Sequence, residues 1–212
     1  MAKVLLLGAS GLVGSALLRL LQQDSRVSRI VAPSRRPLAP LGKLVNPHGE
    51  DLPALIDGLD EPIDLFFCCL GTTRKQAGSA NAFHTLEFNM VVNSAQAAQR
   101  RGAKHCLVVS ANGANVASRF QYNRTKGEIE QALIAQQWPL LTLARPSLLV
   151  GQRQPPRLFE QLSTPIFKLL PGKWKAIDAQ EVAKALQQQA FNAGLGGITV
   201  LESDQLARLA QE

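Results

Sequence analysis

Tyr122 and Lys126 stand four residues apart in the run QYNRTKGEIE, a spacing that on a helix puts both side chains on one face. A phenol with its ordinary pKa of about 10 is a poor base at neutral pH, and a neighbouring ammonium favours the phenolate and lowers that value. So tuned, the phenol can exchange a proton with a carbonyl or an alcohol. Ser110 comes twelve residues before Tyr122, at the end of an apolar run, where it can hydrogen-bond the same oxygen. Tyr122 is the only tyrosine in the chain.

A second constellation lies at the amino terminus. The apolar run Val4 to Leu7 passes directly into GASGLVG, residues 8 to 14, after which Ala16, Leu17, Leu20 and Leu21 recur at helical spacing. The order is strand, tight turn, helix, and a helix that starts there aims free N–H groups and the positive end of its dipole above the strand, which suits a phosphate. Gly8 permits the turn, Gly11 lets a pyrophosphate approach the backbone, and Gly14 lets the helix lie close on the strand. The spacing is GxxGxxG rather than GxGxxG, and in its strand–turn–helix setting it predicts nucleotide binding.

Further along, the loop Pro33-Ser34-Arg35-Arg36-Pro37 follows a second short strand and holds two arginines and no acid. At this place in a dinucleotide fold an arginine accepts the 2′-phosphate of NADP, whereas an acid binds the 2′-hydroxyl of NAD; the loop predicts NADP(H) over NAD(H), against the alternative of a solvated basic loop. Asp51 is suited to an adenine amino group or, equally, to a helix N-cap. The apolar strand DLFFCCL, 64 to 70, leads into Gly71-Thr72-Thr73, a second glycine turn at the same edge of the sheet. Asn89 and Asn93 share one face of a helix predicted over 83–101, as part of a site or as surface polarity, and Leu86, Met90, Val91, Ala95 and Ala98 are expected to face the core.

The elements that must hold these groups alternate strand and helix along the chain. That rhythm predicts an α/β fold with a doubly wound parallel sheet of Rossmann type, in a single domain over 1–212, ending in a helix over 178–190 and a strand over 198–201. The segment 151–175 breaks the rhythm. It carries Arg153, Arg157, Lys168, Lys173 and Lys175 against Glu160, together with four prolines; it reads as a cover over an anionic substrate or as a solvated loop, with a short helix over 158–170.

Composition excludes several classes. The 212 residues carry a net charge of +7, but Lys and Arg are scattered, aromatic residues make up only 5%, and no nucleic-acid motif occurs, so anionic small ligands account for the charge better than nucleic acid. No apolar run reaches the roughly 20 residues of a membrane span, and the first apolar segment lacks a basic flank and cleavage site, so neither a membrane nor export is expected and the chain reads as cytoplasmic. Cys68, Cys69 and Cys106 lack metal-ligand spacing and read as reduced core residues, with no metal site.

With these motifs together, the sequence resembles the short-chain dehydrogenase/reductase superfamily, and within it the atypical members of the Tat-interacting-protein type. The resemblance rests on GASGLVG, CCLGTTRKQAG at 68–78, KHCLVVSANGA at 104–114, YNRTKGEIE at 122–130 and ARPSLLVGQR at 144–153. It implies that Tyr122 is the acid/base, that Lys126 holds the nicotinamide ribose, that Ser110 polarises the reacting oxygen and that Asn89 completes a proton relay. Gly8, Ser10, Gly11, Leu12, Val13, Arg35, Arg36, Leu70, Gly71 and Thr72 would touch the cofactor, with Pro146 and Leu148 beside the nicotinamide. Where relatives often show paired serines this chain has Ser110-Ala111, so the polarising role rests on Ser110 or passes to Asn112. The chain is also too short for the substrate domain of the sugar-modifying members. The expected function is an NADP-dependent oxidoreductase of a small carbonyl or alcohol; the alternative is a non-catalytic NADP(H)-binding regulator.

Overall fold

The structure, a computed structural model, describes residues 1–71, 80–151, 175–192, 194 and 196–212, with side chains left out at 80–83 and 85. The chain runs β1 (Ala2–Leu7), α1 (Leu12–Gln23), β2 (Val27–Val31), β3 (Leu44–Val45), α2 (Leu52–Asp57), β4 (Leu65–Cys68), α3 (Ala80–Arg100) and β5 (His105–Val109). It continues through α4 (Gln121–Ala135), β6 (Leu140–Arg145), β7 (Leu149–Val150), β8 (Ile177–Asp178), α5 (Ala179–Asn192), β9 (Gly197–Glu202) and α6 (Ser203–Leu209).

Seven strands form one sheet in the order β3-β2-β1-β4-β5-β6-β9, and every pairing in it is parallel. Apolar runs without alternation follow from this, because helices cover both faces. Along β1, Val4 and Leu6 pack with Leu17, Leu21, Val182 and Leu186 of α1 and α5, while Leu5 and Leu7 face Ile56, Val91 and Ile129 of α2, α3 and α4. The chain leaves β1 toward β2 on one side and returns as β4 on the other. That reversal opens a crevice beyond the carboxyl ends of β1 and β4, the usual place for a ligand in such sheets. Leu7, Cys68 and Val108 lie level across β1, β4 and β5, so the residues after them meet at that crevice.

The sequence expectations differ from the structure at several places. The final element is α6, not a strand; at seven residues it is too short for periodicity to reveal, and its start is fixed by a capping box between Glu202 and Gln205. Leu86 is 52% exposed rather than in the core, because the buried stripe of α3 runs through Glu87 and Val91. Of the two roles open to Asp51, the structure shows the helix N-cap, as one of the alternatives expected: its Oδ1 accepts the Ala54 N–H at the start of α2 at 3.0 Å. β7 and β8, with two residues each, pair with one another outside the main sheet. The segment 152–174, on which the expected cover and helix fall, lies outside the described residues.

Candidate functional site

One end of the crevice is built from backbone. After β1 the chain turns at Gly8, whose φ of +79° is left-handed and whose carbonyl accepts the Gly11 N–H at 2.8 Å. A Cβ on Gly8 would lie 2.5 Å from the Cys69 carbonyl oxygen, and one on Gly14 would lie 2.1 Å from that of Gly8. The turn after β1, the turn after β4 and the first turn of α1 therefore touch backbone to backbone. Helix α1 starts at Gly11 with no side-chain cap and no acid in its first turn, so its N-terminal N–H groups and dipole are left to an anion.

The other predicted cofactor residues surround this cradle unevenly. Ser10 is exposed and Leu12 half-buried, while Val13 points into the core, which leaves only its backbone for a ligand. Leu70 is half-buried, and a Cβ on the exposed Gly71 would meet nothing within 4 Å among the described residues. Thr72 lies outside the described residues. Arg35 and Arg36 are exposed beyond β2. At the end of β6, Pro146 is buried and its carbonyl accepts the Asn112 N–H at 2.9 Å, with Leu148 half-buried beyond it.

Side chains build the opposite end. Tyr122, on the first turn of α4, is 47% exposed, and Lys126 Nζ lies 6.0 Å from its ring centroid. Lys126 itself is buried, with Nζ 2.6 Å from Glu87 Oε1 on α3 and donating to the Val109 carbonyl at 3.5 Å. Burial pulls the Lys126 ammonium toward its neutral form, but Glu87 and then Tyr122 outweigh it, and its pKa ends above the ordinary lysine value. Gly127 lets this part of α4 lie on the preceding loop: a Cβ there would fall 2.5 Å from the Val116 nitrogen.

Ser110 is also buried, and its hydroxyl donates to Glu130 Oε1 at 2.5 Å. Glu130 is gripped in turn by Arg145, whose Nε donates to Oε1 at 3.0 Å and whose Nη2 donates to Oε2 at 2.5 Å; Arg145 also reaches Glu202 at 3.4 Å. The hydrogen bond to Glu130, with its charge, raises the Arg145 pKa. This arrangement departs from the polarising role expected of Ser110. A hydroxyl whose proton is held by Glu130 has only lone pairs for a third group, so it can accept a hydrogen bond but not give one.

Asn89 stands away from the site. It is exposed, as is Asn93, and at 100° per residue it points to the side of α3 roughly opposite Glu87. The relay role expected of it has no support in this geometry. What the sequence reading missed is the set of partners: Glu87, Glu130 and Arg145. A signal existed for two of them, since Glu87 and Glu130 are acids in the apolar stripes of their helices, beside Val91 and Ile129. Among the described residues, no group of three or more His, Cys, Asp or Glu could hold a metal ion, and no helix is long and apolar enough to cross a membrane.

Comparison with known proteins identifies the family and the fold. The NAD dependent epimerase/dehydratase family matches residues 4–157. Protein HTATIP2 of Rattus norvegicus is 31% identical over 218 residues, covering 99% of this chain and 89% of that one. Protein FMP52-1, mitochondrial, of Scheffersomyces stipitis is 34% identical over 171 residues, covering 78% and 76%. Among solved structures, the Bordetella bronchiseptica enzyme WbmG in complex with NAD superimposes with a TM-score of 0.72 at 15% identity, covering 95% of this chain and 72% of that one, which speaks to the fold. The cytoplasmic expectation is overturned by the FMP52-type relatives, which carry "mitochondrial" in their names. It rested on lacking an export signal and a membrane span, and neither bears on mitochondrial addressing.

Proposed function

The chain belongs to the NAD-dependent epimerase/dehydratase family, and from that premise we propose that it is an NADP-dependent oxidoreductase acting on a carbonyl or alcohol carbon of a small substrate. The observation that carries this reading is the joining, at one carboxyl edge of the sheet, of an uncapped helix start and an exposed phenol backed by a buried ammonium. A nicotinamide dinucleotide fits the residues present. The cradle at Gly8 to Val13 offers N–H groups for a diphosphate, and among the described residues no protein atom lies where a Cβ on Gly71 would touch it. Arg35 and Arg36 supply exposed guanidinium groups where a 2′-phosphate would lie, which supports NADP(H) over NAD(H).

A bound nicotinamide supplies or takes up the hydride. Tyr122 supplies or takes up the matching proton at the substrate oxygen, being the one titratable group of the set that is open to solvent. Lys126 keeps a positive charge beside the phenol and offers N–H groups to the adjoining ribose. Ser110, its own proton on Glu130, accepts a hydrogen bond from the substrate hydroxyl or from Tyr122 and so orients the alcohol form. The substrate is a small molecule, and an anionic one suits the excess of basic residues.

That same Ser110–Glu130 bond favours a second reading, a non-catalytic NADP(H)-binding regulator, because it withdraws the donor that would polarise a carbonyl. Calorimetry with NADPH and NADH, followed by a screen of carbonyl and alcohol substrates against Tyr122→Phe as control, tests both. Turnover lost in the variant supports the enzyme, binding without turnover on any substrate supports the regulator, and uptake of neither dinucleotide removes both.

A further inference from the structure

Glu87 is a carboxylate with 1% of its side chain exposed, and it faces an ammonium whose side chain is 4% exposed. A lysine so deeply placed loses the hydration of its charge, and a buried lysine without a counter-charge deprotonates within or below the physiological range. Among the described residues, the groups facing Lys126 are Glu87 from α3, Tyr122 one turn earlier on α4, the Cys68 thiol at the end of β4 and the Val109 carbonyl at the end of β5. The Cys68 thiol is itself buried and pushed up to about 11, so it is uncharged at neutral pH. The Val109 carbonyl at 3.5 Å is a weak acceptor. Glu87 is the only carboxylate in this set, and its Oε1 lies 2.6 Å from the ammonium.

Resting on the oxidoreductase reading above, we propose that Glu87 is a positioning residue of the dinucleotide site: it keeps the Lys126 ammonium charged and fixes it beside Tyr122, so that dinucleotide affinity depends on a carboxylate that does not itself touch the dinucleotide. An ammonium has three N–H groups. One is directed at Glu87 and a second toward Val109, which leaves the third for the ribose hydroxyls. The contact joins α3 to α4 across 39 positions of sequence and is not part of the Tyr–Lys spacing. A neutral lysine at the same place would be a weaker donor and would lose the charge that sits next to the phenol.

The test uses the full chain labelled with ¹³C-lysine, with Lys126→Met assigning the Lys126 resonance. In the wild type that resonance should stay in its charged form up to about pH 10, and in Glu87→Gln its midpoint should fall by about three pH units or more, to about one unit below pH 8.5; Glu87→Asp should restore most of the difference. Calorimetry should show NADPH affinity of Glu87→Gln reduced about tenfold at pH 8.5 and less at pH 6.5, where the lysine is reprotonated, a pH dependence that mere loosening of the fold would not produce. Should Glu87→Gln fail to fold, Lys126→Met and Lys126→Met/Glu87→Gln take its place, the second removing both charges together. Both should bind NADPH equally, since the proposed effect of Glu87 on the dinucleotide passes through the ammonium. An unmoved Lys126 titration, an equal loss of affinity at both pH values, or a double variant weaker than Lys126→Met would overturn the assignment while leaving the oxidoreductase reading intact. A wild type that binds neither dinucleotide would overturn that reading and this one with it.

Discussion

At the Gly8–Gly14 turn the crevice consists of backbone from which side chains have been removed, whereas at Tyr122, Lys126 and Ser110 it consists of side chains held by other side chains. The first end is rigid through contact: peptide groups of β1, β4 and α1 approach so closely that a single methyl group would overlap a carbonyl. The second end is rigid through charge, with Lys126 on Glu87 and Ser110 on a Glu130 that Arg145 clamps. Binding of a diphosphate needs only N–H groups and space, which backbone provides without any titratable group. Proton transfer needs groups with controlled charge, and within a core that control comes from paired counter-charges.

Several variants would break or sharpen this contrast. Tyr122→Phe should lower turnover by about a thousandfold and leave both the melting temperature and NADPH affinity near the wild type, because the ring is half in solvent; a matching loss of affinity, seen by calorimetry, would show that the two ends are not separable. Gly14→Ala should act through the fold instead. Its methyl group would meet the Gly8 carbonyl, and an overpacked, unyielding contact costs about 3 kcal/mol, read as a fall in melting temperature of about 6–12 °C for a chain of this size. Unchanged melting would mean that the turn relaxes and that its closeness is not what holds it.

Replacing Arg35 and Arg36 together by alanine should weaken NADPH about 10- to 100-fold, from the loss of charge-assisted bonds to a phosphate, and NADH little. Equal losses for both would remove the 2′-phosphate assignment. The smallest effect concerns His105, at the edge of the sheet away from the crevice. It is buried with Nε2 2.9 Å from Thr142 Oγ1, and burial pulls its pKa down to about 4. The unfolded chain takes up this proton at about pH 6.5, so the folded state loses stability as pH falls from there toward 4, by about 1–2 kcal/mol once solvent screening is allowed for. Denaturant titrations of His105→Gln should be flatter across that window, with Tyr122 chemistry untouched.

The two ends were also unequally legible. Gly8, Gly11 and Gly14 could be read directly, since the requirement for a missing Cβ is written in residue type and needs no partner. The Tyr122–Lys126 pair was legible because one helix supplies both. Glu87 could not be connected to Lys126 in the same way, for the contact is made between two helices and depends on how α3 rolls against α4. The same roll puts Leu86 in solvent and turns Asn89 away, against expectation. At Ser110 the residue was found and its donor role was not, because the direction of a hydroxyl proton is decided by the acceptor beside it, here Glu130.

By itself the sequence determined the alternation of strand and helix, the parallel sheet and the two motifs at its carboxyl edge, since these follow from local patterns of apolar residues and glycines. The tertiary structure alone decided which acids stand behind the reactive groups. A buried charge is tolerable only beside a partner, and which residues become partners is set by the packing of elements far apart in the chain.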